Sequence, residues 1–239
     1  MAEIPVQIGV LPPAQRALWH ALAGRLPGWI LYGGTALALR LGHRQSIDFD
    51  FFRFDSFDPM ALQAGCPPLI GATVLQRCEN TLTLLVDHGA PVQVSFFGVP
   101  RLGQVLAPDT ASDTGTPIAS LLDLAGTKAA TVQVRAEAKD YLDLDALIGH
   151  DVGLEWACAA ALAIYGPGAH PLGTLKALSY FGDGNLATVP GEVRDRLAAA
   201  ARKPRPPTGR ALELRYGRSR APPTLASSDR RVRLVAAGG

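Results

Sequence analysis

One segment near the N-terminus constrains the fold of this chain more than any other feature. Residues 29–32 have the apolar character of a short buried strand, and the adjoining Gly33 and Gly34 allow a tight turn into a segment with helical spacing of Leu and Ala. A second strand follows, in which Asp48 and Asp50 alternate with apolar residues. Because successive side chains of a strand point to opposite faces, both carboxylates should project from one face. The segment therefore predicts a local unit of strand, turn, helix and strand.

The two aspartates form a candidate metal site. They alternate with Ile47, Phe49 and Phe51, which we expect to bury the opposite face of the strand. Two carboxylates 4–5 Å apart repel by about 3–4 kcal/mol at an effective dielectric constant of 20, and a divalent cation between them removes that cost. A strand with one solvated face gives the same alternation without any metal.

The glycine turn is a candidate phosphate site. Gly33 and Gly34 would let backbone N–H groups approach a ligand closely, and the positive end of the following helix favours an anion. Thr35 would add its hydroxyl group to these N–H donors in holding a triphosphate. The structural alternative is a plain strand-to-helix turn in which Thr35 caps the helix.

The order of these motifs resembles a known family. Gly33-Gly34-Thr35 followed by Asp48-Phe49-Asp50-Phe51-Phe52 is similar to the signature of the nucleotidyltransferase superfamily, and more narrowly to the AbiEii/AbiGii-type toxins of bacterial abortive-infection systems. The resemblance implies an α+β fold, in which a polymerase-β-like mixed sheet is followed by a helical C-terminal lobe. It also implies catalytic Asp48 and Asp50 that bind Mg²⁺ or Mn²⁺, a nucleoside triphosphate (NTP) substrate, a hydroxyl acceptor on RNA, and a toxin role with a cognate antitoxin.

Lys128 is a further candidate site residue. It lies at helical spacing from Leu121, Leu124 and Val132, so it projects from the apolar stripe of a helix predicted over 120–134. A lysine in that position requires an anion, which a nucleotide phosphate would supply. The alternative is a side chain that extends its ammonium group to solvent at the edge of the core.

The downstream segment Lys139-Asp140-Tyr141-Leu142-Asp143-Leu144 extends the resemblance, because the same family usually carries Lys-Asp-x-x-Asp-Leu after a helix with a lysine. By resemblance, Lys128 and Asp140 are catalytic, and Lys128 and Lys139 contact the nucleotide. An alternative follows from the spacing of the residues. Asp140 and Asp143 share a helical face with Leu144, so an ion pair or a helix cap accounts for one of them equally well.

One position departs from the pattern expected of such enzymes. Many nucleotidyltransferases place a third carboxylate on a later strand, and in the predicted strand 92–97 that position is Ser95. Serine is a poor base and a weak metal ligand. Asp87 could substitute, but it lies at a predicted turn, where aspartate is common. The chain could therefore be a degenerate nucleotide-binding protein that acts through a protein partner.

Composition limits the remaining function classes. The chain has 239 residues, 48% of them hydrophobic and 18% charged, as expected of a globular protein. Three scattered cysteines without metal-ligand spacing favour reduced thiols. The N-terminus lacks a signal-peptide pattern, and the apolar segment 154–165 is too short to span a bilayer. We expect a cytoplasmic protein that makes no membrane contact.

Three regions are predicted along the chain. Residues 1–118 should form the nucleotidyltransferase sheet lobe, with later strands at 74–77, 81–87 and 92–97. Residues 119–201 should form a helical lobe, with a cleft between the two. Residues 202–239 should form a disordered Pro/Arg-rich tail, in which ten basic residues oppose two acidic ones. That tail suggests either binding to nucleic-acid phosphates or an extension without a role.

Overall fold

A computed structural model describes residues 2–150 and 152–202. These residues divide into two compact units. The sheet unit comprises residues 2–101 and 107–119, and the helical unit comprises residues 102–106, 120–150 and 152–202. Apart from Arg202, the predicted basic tail lies outside the described residues.

The sheet unit contains eight strands in one mixed sheet, in the order β1-β7-β8-β2-β3-β6-β5-β4. The strands are β1 (Glu3–Ile4), β2 (Ile30–Tyr32), β3 (Asp48–Arg53), β4 (Thr73–Cys78), β5 (Thr81–Asp87), β6 (Pro91–Gly98), β7 (Asp109–Ala111) and β8 (Pro117–Ile118). Its helices are α1 (Pro13–Ala21), α2 (Gly33–Leu41) and α3 (Pro59–Gly65). β3 lies between antiparallel β2 and parallel β6, so the strand with both aspartates is central in the sheet.

Aromatic side chains build the core on one face of this sheet. Phe49 and Phe51 of β3 are fully buried. Phe49 stacks on Trp19 of α1 at 5.9 Å between ring centroids, and Phe51 stacks on Phe96 of β6 at 5.5 Å. Ile47 is 63% exposed, so the prediction that it joins this buried face is wrong. It precedes the strand, where the alternation of faces is not yet imposed.

The helical unit contains α4 (Leu121–Thr131), α5 (Ala138–Gly149), α6 (Leu154–Tyr165), α7 (Pro171–Ala177) and α8 (Gly191–Ala201). α4 packs closely on α6 because Gly126 has no side chain. A Cβ atom at Gly126 would lie 2.8 Å from the Cβ of Ala160 and 2.9 Å from its carbonyl carbon. Any larger residue would therefore force these two helices apart.

Asp123 fastens the segment 102–106 to the start of α4. Its carboxylate accepts hydrogen bonds from the backbone N–H groups of Val105 and Leu106, at 2.8 and 2.9 Å, and from the Ser120 hydroxyl at 2.6 Å. Burial raises the pKa of Asp123 above its usual value, against these hydrogen bonds, which lower it. The helix predicted over 120–134 begins here, and the Ser120 side chain caps it by accepting a hydrogen bond from the backbone N–H of Asp123.

A mixed sheet followed by helices confirms the predicted α+β class. The strands β4, β5 and β6 and the helix α4 begin and end within a few residues of the positions predicted from the sequence. The short strands β1, β7 and β8 were not predicted. No single helix among the described residues is long and apolar enough to cross a membrane. Two consecutive helical segments, Ala138–Gly149 and Leu154–Gly168, are long and apolar enough only when they are taken together, and the chain bends by 118° between them.

Candidate active site

The glycine turn and the second aspartate of β3 are in direct contact. Gly33 has a φ of +70°, a conformation that side chains with a Cβ rarely adopt. A Cβ at this position would also lie 2.4 Å from Oδ2 of Asp50 and 3.2 Å from its Cγ. Backbone conformation and space thus both require glycine. The Asp50 carboxylate therefore lies against the start of α2.

Gly34 is crowded from the loop that precedes β3. A Cβ there would lie 2.5 Å from Nη2 of Arg44 and 3.1 Å from Oγ of Ser46. The Arg44 guanidinium also donates a hydrogen bond from Nη1 to the carbonyl oxygen of Gln45, at 2.8 Å. The Asp50 carboxylate therefore lies beside Gly33, and the Arg44 guanidinium lies beside Gly34.

Thr35 serves the protein interior rather than the surface. Its side chain is 1% exposed and its hydroxyl group donates a hydrogen bond to the backbone carbonyl of Asp48. The Ser46 hydroxyl lies 2.9 Å away, and Nε2 of Gln15 donates to the Thr35 oxygen at 3.4 Å. A hydroxyl group can donate one hydrogen bond, and the backbone carbonyl of Asp48 accepts it. The Thr35 hydroxyl thus joins the turn to β3, and the contact of Thr35 with a triphosphate stays a prediction.

Asp50 lies in a polar row that crosses three strands. It is 5% exposed, and its register partners are Tyr32 in β2 and Ser95 in β6. Ser95 is itself paired with Thr83 of β5, whose hydroxyl lies 3.4 Å from the Ser95 hydroxyl. The strand next to Asp50 thus presents a hydroxyl group and not a third carboxylate.

Asp87, the proposed substitute for that carboxylate, lies at the far end of β5. It is exposed, and its carboxylate accepts a hydrogen bond from the Gly89 backbone N–H at 3.1 Å. This is the turn role that its position favoured. Asp87 is paired with Pro91, whereas Asp50 is next to Ser95, so the two aspartates do not lie on one row.

The chemistry of the donors fits one mode of metal binding. Among the described residues, no group of three or more His, Cys, Asp and Glu side chains could hold a metal ion by itself. Asp48 is half-buried and Asp50 is buried, and the alternation of β3 places both on one face. Mg²⁺ is commonly held by one or two carboxylates together with substrate phosphates and water. The aspartate pair fits a metal ion that binds together with a nucleotide.

In the helical unit, Lys128 is held by two carboxylates. Its Nζ lies 2.7 Å from Oδ1 of Asp140 and 2.7 Å from Oδ2 of Asp143, and the lysine side chain is 8% exposed. Arg135 adds a second cation to Asp140, with Nε at 2.7 Å from Oδ2 and Nη2 at 3.1 Å from Oδ1. α4 and α5 are therefore joined through a charge cluster, which comprises Lys128, Arg135, Asp140 and Asp143.

The pKa shifts of Lys128 and Asp140 both favour the charged form. Burial lowers the pKa of Lys128, but the carboxylates of Asp143 and Asp140 raise it to a net value above the usual one. Burial raises the pKa of Asp140, but Lys128 and Arg135 bring it below its usual value. The ion pair that we considered as an alternative role is therefore present. Whether Lys128 and Asp140 also act on a nucleotide stays a prediction.

Lys139 differs from its neighbours in exposure. Its side chain is 35% exposed, and its Nζ lies 3.2 Å from Oε2 of Glu137. A pair of this kind at the surface contributes little to stability and exchanges readily with solvent. Of the three residues that the motif singled out in the helical unit, Lys139 is the most accessible.

Sequence reasoning missed Gln15, which belongs to the hydrogen-bonded group under the glycine turn. This residue is 1% exposed, and Nε2 also donates to the carbonyl oxygen of Asp48, at 3.4 Å. The signal in the sequence was a glutamine near the start of an amphipathic helix, where a solvated position is the usual expectation.

Comparison with known proteins agrees with this arrangement. The fold is similar to that of MenT4, a nucleotidyltransferase toxin from Mycobacterium tuberculosis, with a TM-score of 0.57 and 17% identity over 79% of this chain and 80% of that one. An uncharacterised protein of Aquifex aeolicus is 37% identical over 116 residues, which are 48% of this chain and 54% of that protein. The chain thus spans about half the length of that curated relative. A family model described as the nucleotidyl transferase AbiEii toxin of type IV toxin–antitoxin systems matches residues 16–218, which include the glycine turn, both aspartates and the charge cluster. The chain therefore belongs to the AbiEii nucleotidyl transferase toxin family.

Proposed function

We propose that this protein is a metal-dependent nucleotidyltransferase whose reacting centre is on the sheet unit. The observation that carries the proposal is the contact between the Asp50 carboxylate and the Gly33 turn, with Asp48 on the same face of β3. This contact brings the candidate metal ligand Asp50 to the N-terminal end of a helix, where phosphate is favoured. Membership of the AbiEii family supports the same activity.

The reaction requires an acceptor hydroxyl to attack the α-phosphorus of a nucleoside triphosphate. The new bond joins the acceptor oxygen to that phosphorus, the bond to the bridging oxygen breaks, pyrophosphate leaves, and the acceptor loses its proton. Asp48 and Asp50 would hold Mg²⁺ or Mn²⁺, which when bound neutralises phosphate charge. The Gly33 and Gly34 backbone would hold the triphosphate, while Thr35 keeps the turn on β3.

The candidate residues of the helical unit have separate proposed roles. We assign Lys128 and Asp140 to the support of this unit, since each already has a buried partner at 2.7 Å. Lys139, with its accessible ammonium group, is our candidate for direct contact with the nucleotide. This assignment separates one contact residue from two positioning residues within a motif that sequence reasoning treated as one set.

The proposed acceptor and partner are supported by family membership rather than by any contact in the structure. We propose an RNA hydroxyl group as the acceptor and a cognate antitoxin as the partner, because the family consists of toxins of type IV toxin–antitoxin systems. In this proposal, transfer to RNA makes the activity toxic, and the antitoxin restrains that toxicity.

A second candidate function is supported by the row that contains Asp50. Ser95, whose hydroxyl lies 3.4 Å from that of Thr83, occupies the position where a carboxylate would be expected to help activate the acceptor. A protein with this row could bind a nucleotide and a metal ion without turnover and act through a protein partner. This function predicts a calorimetric signal for NTP binding with no product on any RNA.

The test of transfer uses the full chain, each labelled nucleoside triphosphate, Mg²⁺ or Mn²⁺, and total cellular RNA. We expect label in RNA with at least one nucleotide, and a loss of about a hundredfold or more in the Asp48→Asn, Asp50→Asn double variant, because the metal ligands are gone. Asp55→Asn is the matched control, since Asp55 is exposed and follows β3. Transfer by the double variant at the wild-type rate would refute the proposed function.

A further inference from the structure

The first helix of the sheet unit reaches the start of β3 through Gln15. This side chain is 1% exposed, and its amide nitrogen donates to the hydroxyl of Thr35 and to the backbone carbonyl of Asp48, each at 3.4 Å. α1, the glycine turn and the aspartate strand are thereby joined at one buried point. Gln15 lies just before the region that matches the family model, which begins at residue 16.

The position of Asp48 explains why such a join is needed. β2 pairs with β3 from Asp50 to Phe52 and ends at Tyr32, where the chain turns into α2. Asp48 therefore lies beyond the end of β2, and its backbone carbonyl has the Thr35 hydroxyl and the Gln15 amide as partners where a strand would otherwise supply them. On its other side Asp48 pairs with Gln93 of β6, at the first position of that ladder. The first aspartate is thus fixed at a strand end by side chains.

The orientation of the Gln15 amide supports a positional role. The Asp48 carbonyl can only accept a hydrogen bond, so the nitrogen of the Gln15 amide must face it. Oε1 of Gln15 accepts no hydrogen bond from any residue that the structure describes. A buried carbonyl oxygen without a hydrogen-bond donor lowers the stability of the fold, and an apolar side chain of the same size would avoid this loss. The benefit of glutamine here is confined to the two hydrogen bonds that it donates.

We propose that Gln15 is a positioning residue for nucleotidyl transfer, which acts through the Asp48 backbone and the Thr35 hydroxyl to set the first aspartate against the glycine turn. This inference rests on the proposed function. It adds a residue from α1 to a site that the sequence motif confines to α2 and β3. Small displacements of a metal-binding group lower the rate of such reactions strongly, because catalysis depends on alignment of the reactants.

The test compares variants that remove the donor with variants that keep the shape. Gln15→Met removes both hydrogen bonds at nearly constant volume. Thr35→Val removes the hydroxyl, whereas Thr35→Ser keeps it. Gln63→Met is the control, because Gln63 of α3 also donates to two backbone carbonyls, those of Leu69 and Ala72 at 3.3 and 3.2 Å, outside the candidate site. Its Oε1 in addition accepts from Arg77 at 2.6 Å, so this variant loses one hydrogen bond more than Gln15→Met.

At saturating metal ion, we expect kcat to fall about tenfold to a hundredfold in Gln15→Met and Thr35→Val, with KM for the nucleotide changed less than about threefold. We expect Mn²⁺ titrations with a non-hydrolysable nucleotide, followed by electron paramagnetic resonance, to show weaker metal binding in the same two variants. Thr35→Ser and Gln63→Met should stay within about threefold of the wild type in kcat and in Mn²⁺ affinity. A purely structural role would lower the yield and the melting temperature of Gln15→Met without this split between kcat and KM.

Wild-type kcat and wild-type Mn²⁺ affinity in folded Gln15→Met would overturn the inference. If Gln15→Met fails to fold, the pair Thr35→Val and Thr35→Ser decides, and equal behaviour of these two would overturn it as well. If the wild type transfers no nucleotide, the proposed function fails, and the Mn²⁺ titration still tests whether Gln15 positions Asp48.

Discussion

At the scale of single residues, Gly33 is the position where sequence and site are most tightly linked. Its positive φ and the Asp50 oxygen beside it impose two separate requirements. The positive φ is a requirement of the backbone that many turns share. The close Asp50 carboxylate is a requirement of this candidate site alone. A suitable pair of glycines in this chain can separate these two requirements.

Gly33→Ala should disrupt the site, while Gly24→Ala should cost stability alone. Gly24 has a φ of +67°, but nothing lies within 4 Å of a Cβ there. Both variants should lose about 1–2 kcal/mol of unfolding free energy from the left-handed backbone, measured by urea denaturation. Gly33→Ala should in addition lose nucleotide transfer and metal binding, because the methyl group displaces the Asp50 carboxylate. Equal activity of the two variants would show that the contact with Asp50 is irrelevant to function.

The residues of the site were predictable to different degrees. The glycines and aspartates could be predicted because turn geometry and strand alternation are local properties of the sequence. The role of Thr35 could not be predicted, since the same hydroxyl is exposed or buried according to what packs above the turn. Gln15 could not either, because its partner Asp48 is 33 residues away in the chain.

At the scale of elements, α4 and α5 are joined by the charge cluster. Lys128 projects from the apolar stripe of α4, as predicted from the spacing, but the anions that it meets belong to the protein. The spacing correctly indicated that the lysine needs a negative partner. It could not distinguish a phosphate from the carboxylates of a neighbouring helix, because the packing of helices is not encoded in the periodicity of one of them.

Lys128→Met should destabilise the protein strongly at neutral pH. The change leaves Asp140 and Asp143 buried with less compensating charge, at an expected cost of about 3–5 kcal/mol of unfolding free energy. Lys139→Met, which removes an accessible lysine 35% exposed, is the control and should cost less than about 0.5 kcal/mol. Chemical denaturation of both variants at pH 7 measures the difference. A loss in Lys128→Met no larger than that in Lys139→Met would contradict this account of the charge cluster.

The pH dependence supplies a further check on Lys128→Met. The folded-state pKa of Asp140 is lowered, so its contribution to wild-type stability is present above the unfolded value of about 3.9 and is lost as the pH falls through the folded value. The pKa of Lys128 is raised, so its contribution is present below about 10.4 and is lost as the pH rises through the folded value. The difference in unfolding free energy between the wild type and Lys128→Met should therefore narrow as the pH falls towards the acidic range, where the buried carboxylates of the variant become protonated, and as it rises through the folded-state pKa of Lys128.

At the scale of the whole molecule, the candidate residues are divided between two compact units. The sheet unit contains the glycine turn and both aspartates, and the helical unit contains the charge cluster and Lys139. Within residues 2–150 and 152–202, the chain passes from one unit to the other after Arg101, Leu106 and Ala119. Sequence patterns predicted the sheet and the helices, but not that residues 102–106 belong to the helical unit. These residues are held there by hydrogen bonds from the backbone of residues 105 and 106 to Asp123, which form only in the folded protein.

Metal and nucleotide should stabilise the protein cooperatively. Two carboxylates, with no larger ligand group among the described residues, make a weak metal site until phosphate oxygens complete it. Thermal unfolding should therefore show little effect of Mn²⁺ alone or of a non-hydrolysable nucleoside triphosphate with a chelator, and a larger effect of both together. At a ligand concentration of 100 times Kd the gain is about 2.7 kcal/mol. The Asp48→Asn, Asp50→Asn double variant should lose this excess and Asp55→Asn should retain it, whereas strictly additive effects in the wild type would mean that the aspartates and the nucleotide do not share a metal ion.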